Sequence, residues 1–281
     1  MSLSLREELR VVLAPQQLLL VRIGRTLAWR GLTRRVLQKK AIPCGVADGG
    51  DNEWDSAVKM LAAELPGLAN GTAFATVILS NHFMRYALVP WSGALGGEEE
   101  ERAVARHFFR ELYGSAAETW ELRLSPDRAG EPQLASAVDG KLMHGVRGAF
   151  ADAGIKLRSI QPSLMAAYNS CRGTLQGRSA WFVLFERGSL CLALLQQGRL
   201  GSVRTLRAGS DWRDRLALTL EREAYLAERE VTTDEIFLWA PELEKSELPQ
   251  SAGWKIHALQ PAIRPDFLPE YERQFAVALG G

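Results

Sequence analysis

Glu186-Arg187-Gly188-Ser189 is the segment of this chain best equipped for chemistry. It separates two apolar runs, residues 181–185 and 190–195, and its glycine can take the positive φ that a tight hairpin turn needs. A carboxylate beside such a glycine is also a phosphate cradle in outline. The backbone can approach the phosphate closely, and the acid can serve Mg²⁺ through water. Glu186, Gly188 and Ser189 are therefore the candidate nucleotide-site residues. Against that use, a glutamate carries its carboxylate one methylene farther from the backbone than an aspartate does. A matching turn near the start of the chain, Leu13-Ala14-Pro15-Gln16, has neither carboxylate nor glycine, and Pro15 removes an N–H donor. Phosphoryl transfer depends on positioning and charge stabilisation, and a turn with neither carboxylate nor glycine beside one with a longer acid argues against hydrolysis. The expected cofactor is none, with ATP and Mg²⁺ as the alternative.

Other chemistries find less support. Asp48-Gly49-Gly50-Asp51 lacks the Lys-Ser/Thr of a P-loop and the ligand ladder of a calcium loop, and reads as a plain loop before a helix. His82, His107, His144 and His257 share no metal-ligand spacing. Ser163 and Ser189 sit outside any G-x-S-x-G context. Cys44, Cys171 and Cys191 read as buried thiols of a reducing compartment. A net charge of +1 supplies no global field toward nucleic acid. The basic stretch with Arg30, Arg34, Arg35, Lys39 and Lys40 reads as a solvated hairpin edge, with peripheral contact to anionic lipid as the alternative. No apolar run approaches the ~18 residues of a membrane span. Arg6, Glu7, Glu8 and Arg10 precede the first apolar run, unlike a signal peptide, and a membrane anchor could follow Gly281.

The elements that must position these residues follow from periodicity and punctuation. Residues 11–13 and 18–23 form a hairpin, with a third strand at 36–43. A helix over 53–65 ends at Pro66-Gly67, and 74–80 is a strand buried on both faces. Residues 84–90 are extended, 98–113 form a helix with an acidic start, and 118–124 with 133–138 form a second hairpin. A helix at 141–153 ends at Gly154, followed by a strand at 156–160 and a helix at 164–174. Three strands joined by glycine turns span 181–206. A long helix covers 211–230, strands cover 235–240 and 254–259, and a last helix covers 269–279. Each half thus carries a hairpin plus a strand, then a helix and parallel additions. The fold class this predicts is α/β, two tandem ribonuclease-H-like lobes with a small α+β insertion in the first. The first lobe is placed at residues 1–161, its insertion at about 93–139, and the second lobe at 162–281.

With the elements in this order, the chain resembles a known family. Residues 141–169, KLMHGVRGAFADAGIKLRSIQPSLMAAYN, resemble the link between the halves of the actin-like pilus assembly protein PilM. Gly198-Arg199-Leu200 through Arg204 resembles the segment after that family's second phosphate motif. Residues 235–238 with the late Ala-Leu-Gly resemble its C-terminal nucleotide region, and 98–110 resembles the acidic helix of its inserted subdomain. The chain is similar in the same way to the cytoplasmic parts of the secretion protein GspL and the pilus protein MshI. The resemblance implies an actin-like ATPase fold and a cytoplasmic adaptor at the inner face of the inner membrane, in type IV pilus biogenesis or type II secretion. It implies two partners, the cytoplasmic tail of an inner-membrane protein and an assembly ATPase. In the family the tail lies beside the inserted subdomain. Phe83, Tyr86, Trp91 and Trp120 are the aromatic candidates for lining such a groove, and core packing is the alternative reading of each.

Overall fold

The computed structural model describes residues 7–28, 31–45, 52–94, 97–125, 130–226, 233–251 and 253–280. Along the chain lie β1 (Glu7–Leu13), β2 (Gln17–Ala28), β3 (Gly31–Pro43), α1 (Asp55–Leu68), β4 (Thr72–Leu79) and β5 (Met84–Val89). Next come α2 (Glu98–Tyr113), β6 (Trp120–Leu124), β7 (Gln133–Asp139), α3 (Gly140–Asp152), β8 (Lys156–Pro162), α4 (Ser163–Ser170) and α5 (Arg172–Leu175). The remainder is β9 (Ala180–Glu186), β10 (Ser189–Gln196), β11 (Arg199–Arg207), α6 (Trp212–Leu226), β12 (Glu235–Trp239), β13 (Lys255–Leu259) and α7 (Ala276–Leu279).

Two five-stranded sheets repeat one plan. The first has the order β3-β2-β1-β4-β8 and the second β11-β10-β9-β12-β13. In each, three strands meander antiparallel and two more add in parallel. A parallel addition needs a crossover, and α1 supplies it between β3 and β4, as α6 does between β11 and β12. This is the ribonuclease-H-like pattern that the glycine turns and apolar runs predict, present twice. A third sheet, β5-β7-β6, is fully antiparallel.

The chain divides into two compact units interleaved in sequence. One holds Met1–Phe83, Gly140–Ser170 and Pro261–Gly281; the other holds Met84–Asp139 and Cys171–Gln260. The contiguous division at 161/162 differs from these units in three places: the boundary between the halves falls after Ser170, the inserted segment groups with the second unit, and the last segment groups with the first. The inserted segment begins at Met84 rather than near 93, because β5 pairs along its whole length with β7. The last segment groups with the first unit because Phe267, Phe275, Ala278 and Leu279 pack on Leu19, Val21 and Ile23 of β2.

Within the first unit α1 packs on β2 and on α3. A Cβ at Gly145 would stand 3.0 Å from Val58 Cγ1, so this glycine lets the two helices approach. Gly154 closes α3 at φ 68°, and Ile155 N–H donates to the Phe150 carbonyl, as a Schellman ending requires. In the second unit α6 covers one face of the sheet, setting Trp212, Leu216 and Leu220 on Trp181, Val183, Leu192 and Leu238. In the inserted segment α2 lies on its three-stranded sheet around Phe109.

Three expectations are corrected. The helix expected to stop at Pro66 runs to Leu68; a proline in the last turn removes a single hydrogen bond, and Ala69 N–H still reaches the Pro66 carbonyl. The helix at 164–174 is broken into α4 and α5. The final helix is mostly short 3₁₀ turns, Pro265–Glu270 and Arg273–Phe275, with only Ala276–Leu279 α-helical. The segment at 48–51 and Arg30 lie outside the described residues.

Candidate functional site

Open α/β sheets bind ligands at the carboxyl ends of their parallel strands. In the second unit two segments leave the sheet side by side at that edge. β9 and β12 run in parallel register from Trp181 opposite Ile236 to Leu184 opposite Trp239. Glu186 and Pro241 are each two residues beyond the last pair, which brings Glu186, Arg187 and Glu242 into electrostatic range of one another. Glu242 was not foreseen. It follows a proline in a loop with no motif, and only the strand register shows what it faces.

Gly188 takes φ 86° in the turn between β9 and β10, and Glu186 pairs across the turn with Ser189. Ser189 is 3% exposed, and its Oγ has no hydrogen-bond partner among the described residues. An orphaned buried hydroxyl costs roughly 1–3 kcal/mol. The next turn, Gln197-Gly198, has both residues left-handed at φ 52° and 81°, the signature of a type I′ hairpin.

Charge at this edge is set by two acids and one base. Glu242 has side-chain surface in solvent, yet its carboxyl is crowded by protein. Burial pushes its pKa up, Arg187 pulls it down, and Glu186 pushes it up further. A carboxyl whose folded pKa is raised stabilises the fold while protonated, and that contribution is lost as pH rises through the folded value. Glu242→Gln is therefore expected to raise the melting temperature at neutral pH. The gain should vanish below the ordinary glutamate value of 4.5, where both side chains are neutral. Melts of the two proteins across that range check this; a gain that persists in acid would assign the effect to something other than ionisation.

The corresponding edge of the first unit is closed by its own hydrogen bonds. Ala14 N–H donates to the Gln17 carbonyl at 3.0 Å, and Gln17 N–H returns the bond at 3.4 Å. Pro15 has no donor, and the Leu13 carbonyl accepts from Ser80 N–H at 2.9 Å. Asn81, 1% exposed, accepts from Leu164 N–H at 3.2 Å and so holds the start of α4. Sequence reading passed over Asn81, whose one signal is the polar break after the apolar β4. This turn offers a phosphate neither a glycine nor an acid.

The four aromatic candidates do not share one environment. Phe83 is 8% exposed in the first unit and Tyr86 is 6% exposed in the second. Trp120 packs edge-on to Phe109 with ring centres 6.2 Å apart. Trp91 is 43% exposed, in the loop after β5. Within the basic stretch, Lys39 pairs with Glu272 at 2.7 Å, Lys40 with Glu64 at 2.5 Å and Arg34 with Glu8 at 3.6 Å. All three cysteines are buried and free. Burial pushes the Cys171 thiol up to about 12 and raises Cys44 and Cys191 as well. Among the described residues no three His, Cys, Asp or Glu side chains converge as a metal site, and no helix is long and apolar enough to cross a membrane.

Two ribonuclease-H-like sheets of identical order, each with its hairpin turn beside parallel strand ends, define an actin-like ATPase fold. Among solved structures, the chain is similar to that of the PilM–PilN type IV pilus biogenesis complex, with 18% identity and a TM-score of 0.67. The match covers 97% of this chain and 96% of the other. It is similar too to the cytoplasmic domain of EpsL, an inner-membrane component of the type II secretion system of Vibrio cholerae. There the identity is 11% and the TM-score 0.55, with 90% of each chain covered. A Bacteroides thetaiotaomicron protein with an actin-like ATPase fold matches at 10% identity and a TM-score of 0.52, over 87% of this chain and 85% of that one. No protein-family model matches the sequence. No curated protein matches it either.

Proposed function

We propose that this chain is a non-catalytic adaptor of a type IV pilus or type II secretion machine, acting at the cytoplasmic face of the inner membrane. The observation that carries the non-catalytic part is the pair of altered turns. Ala14-Pro15-Gln16 offers a phosphate neither carboxylate nor glycine, while Glu186 brings a longer acid with Glu242 nearby. Added negative charge at a phosphate edge repels the ligand that the edge would have to hold. Likeness to the PilM–PilN complex and to the EpsL cytoplasmic domain supports the pilus or secretion setting. In this reading the chain holds the cytoplasmic tail of an inner-membrane protein and couples it to an assembly ATPase. Trp91 is the aromatic candidate exposed enough to anchor such a tail, while Phe83, Tyr86 and Trp120 serve packing within their own units.

A second reading is nucleotide binding at the β9–β10 turn, and Ser189 favours it. Its buried, unpartnered hydroxyl next to Gly188 is a donor that a phosphate could use. Calorimetry with ATP and Mg²⁺ separates the two. The adaptor reading expects no saturable heat and no phosphate release. Micromolar binding with turnover abolished by Glu186→Gln would replace it with an ATPase. The adaptor role itself is tested by titrating the chain with the cytoplasmic tails of inner-membrane pilus and secretion proteins. Binding weakened by Trp91→Ala is expected, and no binding to any tail would reject the role.

A further inference from the structure

A groove of about 330 Å³ runs between the edge strand β11 and the helix α6. It lies within the second unit and adjoins the β9–β10 turn, since Arg207 pairs with Ser189 and Ala208 N–H donates to the Gly188 carbonyl at 3.0 Å. Leu190, Leu206 and Trp212 form its apolar wall, and Arg207, Leu218 and Arg222 are on its lining. Trp212 is fixed there by stacking on Phe185, with ring centres 4.4 Å apart and planes 16° from parallel.

Two features mark this groove as unfinished. The first is apolar exposure on α6: Leu218 is 65% exposed, Tyr225 85% and Leu226 49%. Residues seven or eight apart share one side of a helix, so Leu218, on the groove, lies on the same side as Tyr225 and Leu226 two turns on, with Glu221 and Arg222 between them. A helix held only by its buried side has no need of leucine and tyrosine there. The second is unmatched charge. Glu223, 7% exposed, lies 3.9 Å from Arg204, and Asp211 lies 3.5 Å from Arg215, so the two acids of the groove have bases of their own. Arg207 and Arg222 have no ion-pair partner among the described residues.

We propose that this groove docks an acidic, amphipathic segment of a partner protein. A bulky apolar side chain of that segment sits against Leu206 and Leu218, and its carboxylates meet Arg207 and Arg222. Bidentate arginine–carboxylate contacts would fix the register, and the apolar anchor would supply most of the affinity. A lipid surface fits less well. The exposed side of α6 also carries Asp214 and Glu221, which anionic headgroups repel, and a flat bilayer does not enter a groove. The inference goes beyond the adaptor reading and does not depend on it, since it names a surface and a ligand chemistry within one unit.

The test is selection from a phage-displayed library of random peptides on the wild-type chain, with the R207E/R222E double variant as counter-selection. Enriched peptides are then measured by fluorescence polarisation against wild type, R207E/R222E, R222K and L218S. Arg222 and Leu218 are exposed, so matched melting curves are expected to show these variants folded. The expected result is enrichment of peptides rich in Asp and Glu with Leu or Phe among them. Their binding should fall about tenfold or more in R207E/R222E and in L218S, survive in R222K, and weaken with added salt. Failure to enrich, enrichment of peptides without acids, or equal binding to wild type and both weakened variants would overturn the proposal. So would arginine-dependent binding to phosphatidylserine vesicles that phage-selected peptides do not displace.

Discussion

Gly198→Ala is expected to lower the unfolding free energy by about 2–4 kcal/mol, from left-handed strain together with overpacking. Gly198 is at φ 81°, where any side chain costs energy, in a turn whose other residue, Gln197, is already left-handed at 52°. The space is closed as well. A Cβ there would stand 2.5 Å from the Gly177 nitrogen and 3.1 Å from the Leu175 carbonyl oxygen. Both are backbone atoms, so no rotamer change relieves the contact. The loop is pinned where it would have to yield: Gly198 N–H donates to the Arg178 carbonyl at 2.5 Å, and Gln197 N–H donates to Ser179 Oγ at 3.0 Å. Urea denaturation checks the figure. A loss under about 0.5 kcal/mol, the range of an ordinary surface substitution, would mean that the segment from Leu175 to Arg178 moves aside freely.

Phe109→Ala is expected to cost about 3–5 kcal/mol, the range for deleting a fully buried aromatic ring. Phe109 is 0% exposed and is the one large side chain in its cluster's fully buried set, beside Ala87, Val89, Ala105, Ala117, Ala135 and Ala137. Alanines cannot swing into a vacated site, so the cavity would persist. Trp120 and Tyr113 would lose their packing as well, since both ring centres lie 6.2 Å from that of Phe109. Exchange protection at β5, β6 and β7 should fall along with the global midpoint. A small loss with protection intact would show that α2 settles onto the sheet and refills the space.

Turn chemistry made the sheets readable. Gly188 and Gly198 stand where apolar runs end, and both are left-handed in the structure, so β9, β10 and β11 could be placed from residue types alone. Gly154 did the same for the end of α3. What escaped the sequence reading was long-range. Phe267, Phe275 and Leu279 lie in a stretch broken by Pro265 and Pro269, with no steady period, and their partners on β2 are more than two hundred residues earlier. Nothing local announces such a contact. The site divides along the same line. Glu186, Gly188 and Ser189 were visible as a turn, whereas Glu242 needed the parallel register of β9 and β12 to become a neighbour. Aromatic type alone did not separate Trp91, at the surface, from Phe83 and Tyr86 in the interior, because both outcomes suit a large apolar ring.

The returning C-terminal segment has a consequence for how the chain is made. Arg10 donates from Nη1 to the carbonyls of Ala278 and Gly280 at 3.0 and 3.1 Å, and Gly280 also forms a bridge with Ile263. β1 is therefore finished by residues made more than 260 positions later in the chain. Met84–Asp139 and Cys171–Gln260 can complete their contacts while the outer face of β2 is still bare. That face is a row of leucine, valine and isoleucine, Leu19, Val21 and Ile23, open to any passing apolar chain until Phe267, Phe275 and Leu279 have been made. During translation the first unit thus closes after the second, although its first three strands are made earlier.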